Sequence, residues 1–187
     1  MRIVGGRFRG TALAPVGKGD AGAHLRPTTD RVRESLFNLI MHGDYPDMEG
    51  ARVLDLFAGT GALGFEALSR GAERVLFVDD GAAARALVRR NIDILRVIGA
   101  TKLYRRDATR LGENRGAPYT LVFLDPPYGK GLGEKALASA VDGNWLSDDA
   151  LVIWEESADI TVPAGFHQRD RRRYGDTQIT ILQRGAA

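Results

Sequence analysis

Asp55, Gly59, Gly61 and Gly64 stand within Val53 to Gly64, VLDLFAGTGALG, which reads as an apolar strand, a glycine-spaced loop and the start of a helix. The glycines follow G-x-G-x-x-G, a spacing that turns the backbone tightly and lets a ligand approach its amides. Alone, the spacing also fits a plain glycine turn in an α/β core. A dinucleotide-binding strand is normally apolar throughout. A carboxylate at Asp55, followed by Leu-Phe-Ala-Gly-Thr-Gly, instead suits a ligand with a cationic amino end and an adenosine. S-adenosylmethionine (SAM) has both.

A second group is Asp125-Pro126-Pro127-Tyr128, which follows the apolar run Leu121 to Leu124. Two prolines remove two amide donors and keep the chain extended, leaving carbonyl oxygens available to a cleft. With the Asp125 carboxylate as acceptor and the Tyr128 ring as a flat face, the group fits a planar base bearing an exocyclic amine. That nitrogen is a poor nucleophile because its lone pair is delocalised into the ring. Holding both of its hydrogens by acceptors turns the lone pair toward a methyl donor, so transfer becomes a matter of position and electrostatics. Asp125 could act as a base or only as an acceptor.

Two further acids fall at strand ends. Arg74 to Val78 is β-branched and apolar and closes on Asp79-Asp80, about 20 residues beyond the glycine loop, where a carboxylate can accept from a ribose hydroxyl pair. Asp79 is the candidate, with Asp80 as the cap of the next helix. Asp107 follows a short strand, Lys102 to Arg105, either as acceptor for an adenine amine or as an Asx turn before Leu111. Asp55, Asp79, Asp107 and Asp125 thus all sit at the carboxyl ends of strands.

The elements that must position these residues alternate. A helix is expected after Arg26-Pro27-Thr28-Thr29, with Val32, Leu36, Leu39 and Ile40 on one face and Gly43 as its stop. Arg31 and Arg33 flank that face, as solvated charges or as contacts to a nucleotide. Further helices are read over Ala62 to Ser69, Ala82 to Ile98 and Glu134 to Ala140, a fifth strand over Leu151 to Trp154 and a last one over Ile179 to Leu182. Strand and helix in alternation predict an α/β fold, a Rossmann-like doubly wound sheet with its site at the strands' carboxyl ends.

The front of the chain differs. Arg2 to Val4 and Thr11 to Leu13 flank GGRFRG and read as a small β-hairpin. Phe8, between Arg7 and Arg9, could stack on a base or lie on the domain. From Met1 to Arg33 seven basic residues stand against Asp20 and Asp30, a local charge of +5 in a chain of net +2, so the remainder is mildly acidic. A basic front on an acidic body suits an arm that meets a polyanion, although arginines also solvate a free end. Arg169, Arg171, Arg172 and Arg173 form a second basic run, either a solvated edge or a phosphate contact.

Composition narrows the classes. A length of 187 residues suits one well-buried domain with a small appendage. At 44% hydrophobic and 27% charged the chain is neither disordered nor fibrous, and no apolar run reaches the ~20 residues needed to span a bilayer. The first nine residues carry three arginines and no apolar segment, unlike a secretory signal. The absence of cysteine removes disulfides, thiolate metal sites and cysteine nucleophiles. No histidine or acid cluster has metal-ligand spacing, so no metal is expected. A cytoplasmic location is expected.

Taken together, GGRFRG, LRPTTDRVRESLFNLI, DLFAGTGALGFEALSRGA, FVDD, LDPPY and YGDT resemble the RsmD-type 16S rRNA (guanine-N2)-methyltransferases. DLFAGTG and DPPY alone indicate amino-methylating SAM enzymes, whereas RPTTDRVRESLFN and GGRFRG point to this branch. The resemblance implies a seven-stranded class I methyltransferase sheet with an N-terminal hairpin, transferring a methyl from SAM to the N2 amine of one guanine of small-subunit rRNA. It implies a cofactor site at Asp55, Gly59, Gly61, Asp79 and Asp107, a catalytic patch at Asp125, Pro126 and Tyr128, and RNA contacts at Arg7, Arg9 and Arg26. Residues 1–25 would form the arm and 26–187 the methyltransferase domain. The partner would be 16S rRNA or a small-subunit assembly particle, met by a monomer. In one departure, FVDD has aspartate where a longer glutamate is expected. The alternatives are a DNA adenine-N6 or cytosine-N4 methyltransferase, a non-catalytic RNA-binding assembly factor and an NAD-dependent oxidoreductase. A missing target-recognition domain counts against the first, intact strand-tip acids against the second.

Overall fold

Apolar residues on both faces of the central strands dictate a sheet covered on both sides. In the computed structural model, which describes residues 1–17 and 28–185, those strands form a seven-stranded sheet of order β3-β2-β1-β4-β5-β7-β6. Its members are β1 (Arg52–Leu56), β2 (Arg74–Val78), β3 (Thr101–Tyr104), β4 (Tyr119–Leu124), β5 (Leu146–Glu156), β6 (Phe166–Tyr174) and β7 (Thr177–Arg184). The first five strands of the chain pair in parallel and β7 joins β5 and β6 antiparallel. The order reverses between β1 and β4, which opens a crevice at their carboxyl ends.

The strands feed two cores. Val53, Phe77, Phe123, Ile153 and Ile181 face one side, packed with Leu36, Phe37, Phe65, Val88 and Ile92 of the helices α1 (Asp30–His42), α2 (Ala62–Ser69) and α3 (Ala82–Leu95). Leu54, Leu76, Val122 and Val152 face the other, against Ala136, Leu137 and Ala140 of α4 (Leu132–Asp142). Asp55 of β1 and Glu155 of β5 are buried acids on the first face.

Helix α1 starts as its sequence indicates. The Thr29 hydroxyl accepts from the Val32 amide at 3.3 Å, and Gly43 closes the helix by donating to the Leu39 carbonyl. Arg33, expected at the surface, is instead fully buried. It reaches the Arg2 carbonyl and pairs with Asp30 at 2.8 Å and with Glu66 at 3.5 Å. Glu66 of α2, itself buried, also accepts the Val4 amide at 2.9 Å and the Gly5 amide at 2.8 Å. The N-terminal hairpin, closed by an Arg2–Ala12 bridge, is thereby fastened to α2, with Ile3, Leu13 and Ala14 buried beneath it.

Other bounds differ from the sequence reading for local reasons. Helix α3 stops at Leu95, not Ile98, because Arg96 takes a left-handed conformation (φ 54°) and the chain then makes a 3-10 turn over Ile98–Ala100. Strand β5 is longer than the apolar run Leu151 to Trp154 by its polar edges. Strand β6 was hidden by charge: Arg169, Arg171, Arg172 and Arg173 form much of an edge strand, where polar side chains blunt further pairing. Arg169 meets Asp44 and Gln183, Arg171 pairs with Asp159 at 3.1 Å, and Arg172 with Asp170 at 3.0 Å. They are strand residues with local partners.

Candidate active site

The crevice beside β1 and β4 is a cavity of about 550 Å3 lined by Asp55, Gly59, Asp79, Asp125, Pro126 and Tyr128, together with Thr28, Phe57 and Lys130. Three of the sequence-derived acids and cradle residues, Asp55, Gly59 and Asp79, therefore converge with the Asp-Pro-Pro-Tyr group in one place. Among the described residues, Lys130 is the only cationic side chain that lines the crevice.

The glycine loop is shaped by its backbone. Phe57 and Gly61 both have positive φ, 58° and 76°, values that a bulky residue such as Phe57 adopts only when its surroundings hold it there. A Cβ at Gly61 would lie 2.6 Å from the Phe65 ring, and one at Gly64 would lie 2.5 Å from Phe77 and 2.9 Å from the Asp55 carboxylate. Glycine lets α2 press against β1 and β2 and brings the Gly64 amide to Asp55 Oδ2 at 3.1 Å. Asn91 of α3 braces the loop by donating to the Thr60 carbonyl at 3.0 Å while accepting the Ala14 amide at 2.7 Å.

Asp55 is only 2% exposed. Burial raises its carboxyl well above the usual range, the Gly64 amide opposes the rise, and the Asp79 charge adds to it. Asp79 accepts the Gly59 amide at 2.9 Å and the Gly81 amide at 2.8 Å, and burial raises it as well. Arg85 holds the turn from beneath, donating to the carbonyl of Asp80 at 2.5 Å and of Asp79 at 3.4 Å. This set fits SAM: a nearly sealed carboxylate with one backbone donor suits an ammonium, and the Asp79 carboxylate on the same crevice suits the hydroxyls of a nucleoside.

Asp125 ends β4 across the crevice from Asp55, its amide 3.5 Å from the Leu56 carbonyl. Burial first, then the charges of Glu155, Asp55 and Glu156, push its carboxyl well up. Tyr128 donates its hydroxyl to Glu155 Oε1 at 2.8 Å and lies 3.4 Å from the Thr177 hydroxyl, and burial raises its phenol. Glu155, 7% exposed, takes the Thr28 hydroxyl on its other oxygen at 3.0 Å. Sequence reasoning missed Glu155 and Thr177. The signal was there for Glu155, because it follows the fifth apolar strand as Asp125 follows the fourth.

Asp107 is not among the residues lining this crevice. It lines a separate cavity with Tyr104 and Arg106, and its carboxylate accepts the Thr109 amide at 2.8 Å and hydroxyl at 2.7 Å, the Asx-turn alternative, which lowers its proton affinity. Arg7 and Arg9 are exposed on the hairpin, with the Arg7 guanidinium 4.3 Å above the Phe8 ring. Phe8 is partly buried against the core, which places it on the domain. Arg26 lies outside the described residues.

Among the described residues no group of histidines and acids could hold a metal, and no helix is long and apolar enough to cross a membrane. The chain is similar over its full length to Ribosomal RNA small subunit methyltransferase D of Escherichia coli, at 37% identity over 190 residues and 91% of that protein. The protein of the same name from Haemophilus influenzae is 36% identical, over 85% of this chain and 80% of its own. Among solved structures, Escherichia coli yhhF, described as a candidate methyltransferase, superposes with a TM-score of 0.83 at 36% identity, covering 100% of this chain and 99% of that one. A Thermus thermophilus protein of undescribed function, TTHA0928, gives 0.71 at 29% identity over 97% and 98%. The family model described as conserved hypothetical protein 95 matches residues 1–183. The chain belongs to that family, the RsmD-type methyltransferases whose motifs it carries.

Proposed function

We propose that this chain transfers a methyl group from SAM to the exocyclic N2 amine of a guanine in 16S (small-subunit) rRNA. The observation that carries the reading is the corner at the tip of β4, where Asp125, Pro126 and the ring of Tyr128 line the same crevice as Asp55 and the glycine loop. Pro126 and Pro127 offer carbonyls and no amide hydrogens, so at these two positions the backbone accepts and does not donate. When bound, SAM supplies a sulfonium methyl. Asp55 would hold the cofactor's ammonium, and Gly59, Gly61 and Asp79 its nucleoside.

Asp125 and the Pro126 carbonyl would take the two amine hydrogens while the base lies on Tyr128. As positive charge develops on the amine, an acceptor-lined corner of low dielectric stabilises it. Burial and the neighbouring acids raise the proton affinity of Asp125, which suits it to take the proton that the methylated amine sheds. The rRNA specificity draws on the names of the Escherichia coli and Haemophilus influenzae relatives. Exposed Arg7 and Arg9 would meet phosphate, Arg26 would join them, and residues 1–25 would act as the RNA arm of a 26–187 methyltransferase domain. The protein would work as a cytoplasmic monomer on rRNA or an assembly particle.

The test is methyl transfer from labelled SAM to small ribosomal subunits and assembly intermediates, with digestion to nucleosides. Label is expected in N2-methylguanine for the wild type and lost for Asp125→Ala. No label in guanine would overturn the substrate, and full activity of Asp125→Ala would overturn the site. Label preferred in DNA under competition would favour an adenine or cytosine enzyme.

A further inference from the structure

Tyr128 follows two prolines and precedes Gly129, whose φ is 71°, so its neighbours in sequence do not clamp its ring. What does is the far end of the side chain. The hydroxyl donates to Glu155 at 2.8 Å, with Thr177 of β7 3.4 Å away. The second oxygen of Glu155 takes the Thr28 hydroxyl at 3.0 Å, and Arg33 Nη1 holds the Thr28 carbonyl at 3.3 Å. The end of β5 and the first residue of β7 therefore meet at Tyr128, and the segment before α1 joins them through Glu155.

We propose that Glu155 is the positioning residue of the transfer reaction: it fixes Tyr128 through its hydroxyl, so that the ring stands beside Asp125 at the angle the flat base must share. The inference rests on the functional reading above. A buried carboxylate is costly to keep, and an apolar residue in its place would fill the strand end without that penalty. Both oxygens of Glu155 are spent on hydroxyl donors, and both donors come from segments outside its own strand. A charged acceptor also gives a shorter and stronger bond than a neutral one, which narrows the range of ring orientations. The arrangement gives work to two motifs the chemistry itself leaves idle, since Thr28 belongs to RPTT and Thr177 to YGDT. Reacting atoms must meet to within a fraction of an ångström, so a ring free to swing costs rate before it costs binding.

The test uses the full chain as wild type, Glu155→Gln, Glu155→Ala, Tyr128→Phe and the double variant Tyr128→Phe with Glu155→Ala. Methyl transfer to small subunits gives kcat and KM, calorimetry with S-adenosylhomocysteine (SAH) gives cofactor affinity, and melting reports the fold. Glu155→Ala is expected to lower kcat about 10- to 100-fold with SAH affinity within twofold, and Glu155→Gln, which still accepts the hydroxyl, to stay within about fivefold of wild type. Tyr128→Phe has already lost the clamp, so adding Glu155→Ala to it should cost less than about threefold. Wild-type kcat in Glu155→Ala, multiplying effects in the double variant, or SAH affinity falling in step with kcat would each overturn the positioning role. A wild type that labels no guanine would overturn the functional reading instead.

Discussion

Asp55→Asn separates stability from function at the centre of the cofactor site. The side chain keeps its size, so the 2% exposed position is still filled. One carboxylate oxygen is committed to the Gly64 amide at 3.1 Å, which leaves the other for the ligand's ammonium. An amide has only one oxygen. Either Gly64 loses its acceptor, or an NH2 group faces the cation. A hydrogen bond to a charged group contributes about 1.5–3 kcal/mol and a neutral one about 0.5–1.5, so the substitution should cost about 1–1.5 kcal/mol, or ~5- to 12-fold in SAH affinity. Stability moves the other way. Burial and the Asp79 charge both disfavour the Asp55 carboxylate, so the unliganded variant should melt at or above the wild-type temperature at neutral pH. Calorimetry with SAH and melting of the unliganded protein measure the two quantities. SAH affinity within twofold of wild type would refute the role of Asp55, and loss of affinity matched by loss of melting temperature would show that the residue merely holds the fold.

Gly64→Ala should destabilise by about 1–3 kcal/mol, because the added methyl meets Phe77, Val75 and Asp55 with no space to shift, whereas Gly99→Ala, with nothing within 4 Å, should be neutral in the same melting experiment. Burial raises the Asp55 and Asp125 carboxyls, so the folded chain holds protons that the unfolded one has released. Their contribution to stability is fullest below the ordinary carboxylate range and is lost as pH rises through the folded values, and Asp55→Asn should flatten that decline in melting temperature. The Asp55 carboxyl should release its proton when the SAH ammonium arrives, read as a dependence of calorimetric enthalpy on the buffer's own ionisation enthalpy. Arg7→Ala with Arg9→Ala should weaken rRNA binding and reduce its salt slope by about 2, leaving SAH affinity unchanged, and an unaltered slope would return both arginines to the solvent.

Much of the site was legible because parallel strands bury apolar runs and expose only their ends. An acid that closes such a run stands out, which is how Asp55, Asp79 and Asp125 were found. The same rule picks Asp107, whose carboxylate in the fold accepts the amide and hydroxyl of Thr109 two residues on. Glu155 closes the apolar run that ends at Trp154 and satisfies the same rule, but no partner within a few residues shows what a glutamate there would hold. Its partners, Thr28 and Tyr128, are 127 and 27 residues away. Strand β6 escaped for a related reason: an edge strand of arginines has no alternation to detect, and only its pairing with β7 defines it. Contacts of short range leave a mark in the sequence, and those assembled by topology do not.

Arg33 shows what that distinction means for how this molecule works. By sequence it is one more cation in a basic front; in the fold it is buried between Asp30 and Glu66 and joins the hairpin backbone to α2. Gly61 of the cofactor loop caps helix α2, and Arg33 also grips the Thr28 carbonyl two residues before α1. One guanidinium thus ties the hairpin, the helix that follows the cofactor loop and the segment that bears on Glu155. Removing one partner of a buried ionic group leaves the others uncompensated and commonly costs about 3–5 kcal/mol. Arg33→Met should therefore lower the melting temperature by roughly 6–20 °C for a chain of this size. Because the hairpin and Thr28 share that anchor, RNA affinity and kcat should fall together in the folded fraction. If only stability changes, the hairpin and the tyrosine clamp are independent of Arg33, and its burial serves the fold alone.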